Sequence, residues 1–142
     1  MLCNSVLEYV APAHLDAIVG ELHRVLKPGG RLLVTGTSSR LAPKETHSGR
    51  WLINYLPSAV DRLFGRRWQR GLSPLRLHRL VRSGFSDEDF ADGGRGWAAA
   101  RAAMRGGARA PLPYRAVAAA ARRLGIGPGW LTPNLSVLLK RL

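Results

Sequence analysis

Residues 7–37 read LEYVAPAHLDAIVGELHRVLKPGGRLLVTGT, and this stretch decides the fold. Pro12 suits the first turn of a helix, and apolar residues then recur at helical spacing to form one stripe. The Lys27-Pro28-Gly29-Gly30 turn ends that helix, because proline cannot continue it and glycine adopts positive φ. The apolar run Leu32-Leu33-Val34 is typical of a central strand that is covered on both faces. A helix that feeds such a strand is half of a βαβ unit, so the stretch predicts an α/β fold.

Length and composition predict one domain. The chain has 142 residues, of which 46% are hydrophobic, so it can bury a domain-sized core. Its apolar runs fall short of the ~20 residues of a membrane-spanning helix, and no signal peptide is predicted. The single cysteine, Cys3, excludes an internal disulfide and favours a reducing compartment. These features predict a cytoplasmic location.

The charge of the chain is strongly positive. The formal net charge is +13, and a field of this sign attracts polyanions. Arginine outnumbers lysine nineteen to three, a bias that a GC-rich genome also produces. No groove-reading helix motif or strand-borne aromatic pair accompanies the charge, so a nucleic-acid partner is not favoured.

Beyond residue 37 the pattern predicts four helices and two strands. The helices begin near Ser58, at Ser73-Pro74 and in the alanine-rich stretches 97–105 and 114–124. The strands are a short one within 85–91 and a terminal one at 135–142.

Two motifs carry a family resemblance. NSVLEYV at residues 4–10 and ELHRVLKPGG at residues 21–30 resemble the fourth-strand turn and the following helix of class I S-adenosylmethionine-dependent methyltransferases, of the methyltransferase type 11-like small-molecule family. Residues 31–37 would then be the fifth strand, 72–85 the helix leading to the sixth, and 134–140 the antiparallel seventh. The resemblance implies an α/β fold: the C-terminal half of a Rossmann-like class I methyltransferase sheet, with about three strands, the last one antiparallel, and flanking helices.

The cofactor half of that family is not found in the sequence. Its glycine-rich turn follows the first strand, and its ribose-binding acidic residue ends the second, so both would precede residue 1. Gly29-Gly30 follow a helix, and Gly93-Gly94-Arg95-Gly96 lack a preceding strand, so neither pair fits a nucleotide turn. We therefore expect residues 1–142 to form a partial methyltransferase domain, the product of a misassigned start, a gene fragment or a split subunit, and we doubt that it binds S-adenosylmethionine alone.

The resemblance also implies site residues. Ligands of open α/β sheets lie beyond the carboxyl ends of the strands. The cofactor side would comprise Asn4, Ser5, Val6, Leu7 and Glu8. The substrate side would comprise Thr35, Thr37, Ser38, His47 and Trp51. Two alternatives stay open: Glu8 is a local helix cap, and Asn4 and Ser5 are ordinary turn residues.

No catalytic residue is singled out. Methyl transfer requires mainly proximity and alignment, and a general base serves only some acceptors. Candidate bases are His14, His23, His47 and His78; His47 is placed best, in the loop after the strand, but all four are interpreted as solvated residues. No metal site is predicted, because no His/Cys/Asp/Glu cluster has ligand spacing. Cys3 has no neighbouring base that would make it a nucleophile.

Residues 51–70 have three interpretations. The first is a lid or insertion that covers the acceptor. The second is a basic amphipathic helix, flanked by Trp51 and Trp68, that lies on a membrane surface. The third is a helix that packs on the sheet with a basic outer face. For the whole chain, the first functional hypothesis is a methyltransferase of a small-molecule acceptor that works with a missing N-terminal half or a partner chain. The alternative is a non-catalytic remnant or interaction module, because a sheet without its first strands has an apolar edge that pairs with another chain.

Overall fold

Four strands and five α-helices make up the part of the fold that the structure describes. The computed structural model describes residues 1–45, 48–57, 59–63, 65, 70–104, 106–107 and 109–142. The strands are β1 (Leu2–Asn4), β2 (Arg31–Ser38), β3 (Phe85–Asp87) and β4 (Asn134–Arg141). The helices are α1 (Leu15–Val25), α2 (Val60–Leu63), α3 (Pro74–Val81), α4 (Arg95–Ala103) and α5 (Leu112–Leu124).

The strands form one open, mixed sheet in the order β1-β2-β4-β3. β1 is parallel to β2, with Leu2 opposite Leu33. β4 is antiparallel to both β2 and β3, with Val137 opposite Val34. The predicted α/β class, the flanking helices and the antiparallel last strand are confirmed. The expected number of about three strands is too low, because the three residues of β1 also pair.

The helix, turn and strand of residues 7–37 form as predicted. A 3₁₀ turn at Pro12–His14 leads into α1, and Gly29 in the turn after α1 has φ +71°. Leu15 and Val19 on α1 are buried in the same cluster as Leu32 and Val34 on β2. The amphipathic stripe therefore packs α1 on one face of the sheet.

That face of the sheet holds the hydrophobic core. α3 joins it through Leu77 and Val81, and Ser73 caps the helix by accepting a hydrogen bond from the Arg76 backbone N–H. Trp130, in a 3₁₀ turn at Pro128–Leu131, is buried in the same cluster. The core is thus assembled from elements on both sides of the long 39–72 connection.

The opposite face is partly open. Leu2 is 64% exposed, and its neighbour Leu33 is 37% exposed. The prediction that β2 is covered on both faces is therefore wrong at Leu33. The physical reason is that α1 and α3 both pack on the Val34 side of the sheet.

The C-terminal part follows the predicted order with shifted boundaries. The two alanine-rich helices are confirmed as α4 and α5, and Gly125 ends α5 with φ +68°. The strand predicted within 85–91 stops at Asp87, because the Asp87 carboxylate accepts a hydrogen bond from the Asp89 N–H and starts a 3₁₀ turn. α4 and α5 contact each other through an edge-to-face pair, Trp97 and Tyr114.

Candidate functional site

The carboxyl ends of β1 and β2 lie side by side, which is the position where ligands of open α/β sheets bind. β1 ends at Asn4, which is opposite Thr35 of β2. Ser5 continues this pairing, because its backbone N–H donates to the Thr35 carbonyl at 3.0 Å. The structure therefore brings together Asn4, Ser5 and Thr35 from the two predicted sides of the site.

Gly36 is the centre of this edge. The register between β2 and β4 shifts between Val34 and Thr37, and Gly36 has φ +69° within this irregularity. A Cβ atom at Gly36 would lie 2.5 Å from Ser5 Oγ and closer still to Asn4 Oδ1. A side chain at this position would require Asn4 and Ser5 to shift and would strain a backbone conformation that favours glycine. Gly36 lies within the stretch predicted for the substrate side, but its special role was not predicted, although a glycine inside a strand pattern is a signal for a bulge.

Ser5 has an unusual backbone conformation. Its φ is +50°, in the left-handed region that non-glycine residues seldom adopt. The Ser5 hydroxyl donates a hydrogen bond to the Gly36 carbonyl at 3.3 Å, which helps to hold the turn. Backbone outliers of this kind cluster at functional sites.

The turn after Ser5 has both core and polar members. Leu7 is buried in the hydrophobic core, whereas Val6 is exposed. Both carboxylate oxygens of Glu8 are buried. Burial and the nearby Glu8 charge raise the pKa of the Cys3 thiol. Cys3 therefore stays a thiol at neutral pH, which argues against a nucleophilic role.

The predicted substrate-side residues differ in burial. Thr37 and Ser38 are fully buried at the end of β2, and the Thr37 hydroxyl has no hydrogen-bond partner among the described residues. Trp51 is exposed and pairs with Lys44 in an isolated antiparallel bridge. His47 lies outside the described residues.

The remaining histidines lie away from this edge. His14 is exposed at the start of α1. His23 and His78 are half-buried rather than on the surface as predicted, because each packs edge-on against an aromatic ring, Phe85 and Trp130 respectively. Burial lowers the pKa of His78; the Asp87 charge opposes this and Arg82 adds to it.

A separate cavity lies between α1 and the end of α3. Its volume is about 370 Å³, and its polar lining comes from Asp16, His23 and Ser83. Gly84 lets His23 approach, because a Cβ atom at Gly84 would lie 2.7 Å from His23 Cδ2. The cavity is lined by residues at the start of β3. It is therefore distinct from the carboxyl edge of β1 and β2, where Asn4 and Ser5 lie against Gly36, which we call the Asn4–Gly36 edge.

The glycine-rich turn before α4 serves packing. Gly94 has φ +79°, and a Cβ atom there would lie 2.5 Å from Pro128 Cγ. The Asp92 carboxylate accepts a hydrogen bond from the Gly96 N–H and so fills the N-terminus of the helix. An anionic ligand would meet a carboxylate at this position, which argues against a nucleotide turn.

The connection between β2 and α3 is braced by residues that sequence reasoning also missed. The buried Asn54 amide donates to the Ala42 carbonyl at 2.8 Å and accepts from the Gly71 N–H at 2.8 Å. Arg70 forms a two-pronged ion pair with Asp61, at 2.8 and 2.6 Å, and these hydrogen bonds raise the pKa of the Arg70 guanidinium. No sequence signal distinguishes these polar groups from ordinary surface residues.

The described residues do not form a cofactor cradle by themselves. Asn4 and Ser5 pack against Gly36, the Glu8 oxygens are buried, and the turn at residues 93–96 is closed by Asp92. Within the described ranges, no three His, Cys, Asp or Glu side chains are grouped as metal ligands would be.

Comparison with known proteins gives no match: no protein-family model, curated protein or solved structure resembles this chain significantly. In the part of the chain that the structure describes, every helix is too short or too polar to cross a membrane.

Proposed function

We propose that this chain carries the C-terminal part of a class I S-adenosylmethionine-dependent methyltransferase that acts on a small molecule. The sheet is the observation that carries the proposal. β1 and β2 are parallel and joined through α1, as expected for the fourth and fifth strands of that family. β4 is last in the chain, lies between β2 and β3 and is antiparallel to both, as expected for a seventh strand.

The geometry of the carboxyl edge supports the same proposal. The turn that resembles the family motif begins at Asn4 and Ser5, where β1 ends beside β2. Ser5 has a positive φ, and the Asn4 and Ser5 side chains lie close against Gly36, so the turn packs tightly on β2. Methyl transfer depends on alignment of donor and acceptor more than on covalent help from the protein, so a rigid edge is what the reaction requires.

The cofactor must then be held mainly by residues that another polypeptide or segment supplies. β1 is an edge strand of the sheet in the described part of the chain, and it is the strand next to which such a segment would add. We therefore expect the chain to be active only in a complex.

Gly36 provides the test of this function. The chain is purified from cells of its source organism under native conditions, and retention of radiolabelled S-adenosylmethionine on a filter is measured. Gly36→Ala would force a Cβ atom onto Asn4 and Ser5, and we expect a loss of retention of at least about tenfold.

Gly29→Ala is the matched control. Gly29 also has positive φ, so the two substitutions strain the backbone alike, but the atom nearest to its Cβ would be Lys140 Cε at 4.0 Å. This variant should retain the labelled cofactor as the wild type does. No retention by the wild-type chain, or equal losses in the two variants, would contradict the proposal.

A second candidate function is an interaction module without catalysis. The observation that favours it is the exposed apolar pair on the open face, Leu2 and Leu33, beside the edge strand β1. Unpaired edges with apolar side chains invite pairing with another chain. The two functions differ in whether the resulting complex binds S-adenosylmethionine.

A further inference from the structure

The connection that follows β2 has an inverted distribution of side chains. In the described part of residues 40–63, the polar side chains of Glu45, Asn54 and Asp61 are buried. In residues 41–56 most large apolar side chains are exposed instead, with Ile53 as the buried exception; Trp51 is 67%, Leu52 56% and Tyr55 54% exposed, and Leu41 and Leu56 are also exposed. We call these five exposed residues the apolar patch. Exposed apolar groups in one contiguous area mark an interaction surface.

Hydrogen bonds and a short strand-like bridge connect the two stretches that carry the patch. The Tyr55 hydroxyl donates to the Leu41 carbonyl at 2.7 Å, and the Leu52 N–H donates to the Pro43 carbonyl at 2.6 Å. Lys44 pairs with Trp51, and the Lys44 ammonium lies 5.9 Å from the centre of the Trp51 ring. The members of the patch therefore come from two adjacent stretches, 41–44 and 51–56.

Buried polar groups keep this arrangement rigid. The Asn54 side chain connects the Ala42 carbonyl to the Gly71 N–H. Arg70 Nε donates to the Leu56 carbonyl at 3.1 Å, while its two terminal nitrogens hold Asp61. These hydrogen bonds fix the backbone of residues 42–56 on which the apolar side chains are carried.

In the described part of residues 40–63, every exposed charged side chain is positive. Residues 40–63 contain two acidic residues, Glu45 and Asp61, and both are buried. The exposed charged residues described in this range are Arg40, Lys44, Arg50 and Arg62. The surface thus combines aliphatic, Trp and Tyr side chains with a cationic surround.

Leu52 keeps its exposed position at an energetic cost. Its φ is +62°, in the left-handed region, where leucine is a clear outlier and Gly or Asn would be relaxed. An exposed leucine contributes nothing to the core that would offset this strain. A bound apolar phase would provide that offset.

We propose that the apolar patch docks on the surface of an anionic lipid bilayer. Tryptophan and tyrosine favour the interface between headgroups and acyl chains, and cations beside them attract anionic lipids. Leu41, Leu52 and Leu56 are aliphatic and cannot stack on bases, which favours a bilayer over a nucleic acid. This inference does not depend on the methyltransferase proposal: Trp51 is the one patch residue that was also predicted on the substrate side, and no patch residue contacts Gly36 in the close approach that Asn4 and Ser5 make.

Vesicle co-sedimentation of the full chain tests the proposal. The vesicles are phosphatidylcholine alone or with about 30% phosphatidylserine, at about 150 mM salt so that weak surface charge effects are screened. We expect binding to the anionic vesicles and a shift of Trp51 fluorescence to shorter wavelength. That shift should be absent in Trp51→Phe.

Leu52→Asn is the diagnostic variant. Asparagine relaxes the left-handed backbone, so this variant should fold at least as well as the wild type, while its bilayer partition coefficient falls about tenfold. Leu124→Asn removes an exposed leucine from the end of α5 and should leave binding unchanged.

Arg62→Gln tests the contribution of charge and should lower binding about fivefold. Arg123→Gln removes the same charge at an exposed position on α5, and it should lower binding less.

Three results would overturn the proposal. The first is no sedimentation with anionic vesicles at this salt concentration. The second is equal binding by Leu52→Asn and Leu124→Asn, which would indicate adsorption through the general positive charge. The third is Trp51-dependent binding of an oligonucleotide that is tighter than vesicle binding, which would assign the patch to nucleic acid.

Discussion

Asp89 makes stability depend on pH through a single carboxyl group. Burial raises its pKa from 3.8 to about 6; the hydrogen bond from the Leu138 N–H opposes the rise, and the nearby Asp87 charge adds to it. The folded state therefore takes up a proton at a higher pH than the unfolded state does. Asp89 stabilises the fold increasingly as the pH falls from about 6 to about 4, and this contribution is lost as the pH rises through the same window.

Asp89→Asn isolates this contribution. Above pH 7 the variant removes a partly buried charge, so the free energy of unfolding should rise by about 1 kcal/mol after allowance for solvent screening. Near pH 4.5 the wild-type carboxyl is neutral in the folded state, and the two proteins should have similar stability. Urea unfolding at the two pH values measures the difference, and a variant that is less stable at pH 7.5 would contradict the assignment.

Gly129 determines how closely the last connection packs on the sheet. It lies in the 3₁₀ turn before β4, and a Cβ atom there would lie 2.7 Å from the Ser136 carbonyl carbon and closer to its oxygen. Because the obstacle is backbone, Gly129→Ala should lower the free energy of unfolding by about 2–4 kcal/mol. Urea unfolding followed by circular dichroism measures this change.

Gly20→Ala is the opposing control at the same scale. Gly20 lies inside α1, and no atom would lie within 4 Å of its Cβ. Alanine should therefore stabilise the helix by up to about 1 kcal/mol through helix propensity. If Gly129→Ala and Gly20→Ala change the free energy of unfolding in the same direction, the 3₁₀ turn does not pack closely on β4.

Elements with local signals were predictable from sequence, and tertiary arrangements were not. Pro12, Pro28 and Gly29 mark the ends of α1 by their backbone restrictions, so its position and the following strand could be predicted. The exposure of Leu33 depends on the face of the sheet on which α1 and α3 pack. The hydrophobic pattern of β2 does not predict which face that is. The inverted burial of Asn54 and Leu52 likewise depends on partners distant in sequence.

The candidate site was predictable in part for the same reason. Asn4, Ser5 and Thr35 lie together because parallel strands end at one edge, which is a general property of the fold. The left-handed φ of Ser5 and the close approach of Asn4 and Ser5 to Gly36 arise only when β1 and β2 pair. Sequence reasoning therefore found the location of the edge but not its fine geometry.

The molecule as a whole has an edge strand that invites pairing. We expect the wild-type chain to self-associate at high concentration, and more strongly at high salt, where the repulsion of its +13 charge is screened. Leu2→Lys places a charge on β1 and should reduce the weight-average mass in sedimentation. Leu124→Lys adds the same charge on α5 and should reduce it less. Equal effects would indicate that net charge, rather than the β1 edge, controls association.

The central claim is that these residues supply one side of a two-part methyltransferase site. Calorimetric titration with S-adenosylmethionine tests it most directly, on the recombinant chain of residues 1–142 and on the complex purified from source cells. We expect binding in the micromolar range only for the complex, because the described residues lack a cofactor cradle. Micromolar binding by the isolated chain, or no binding by either sample, would contradict it.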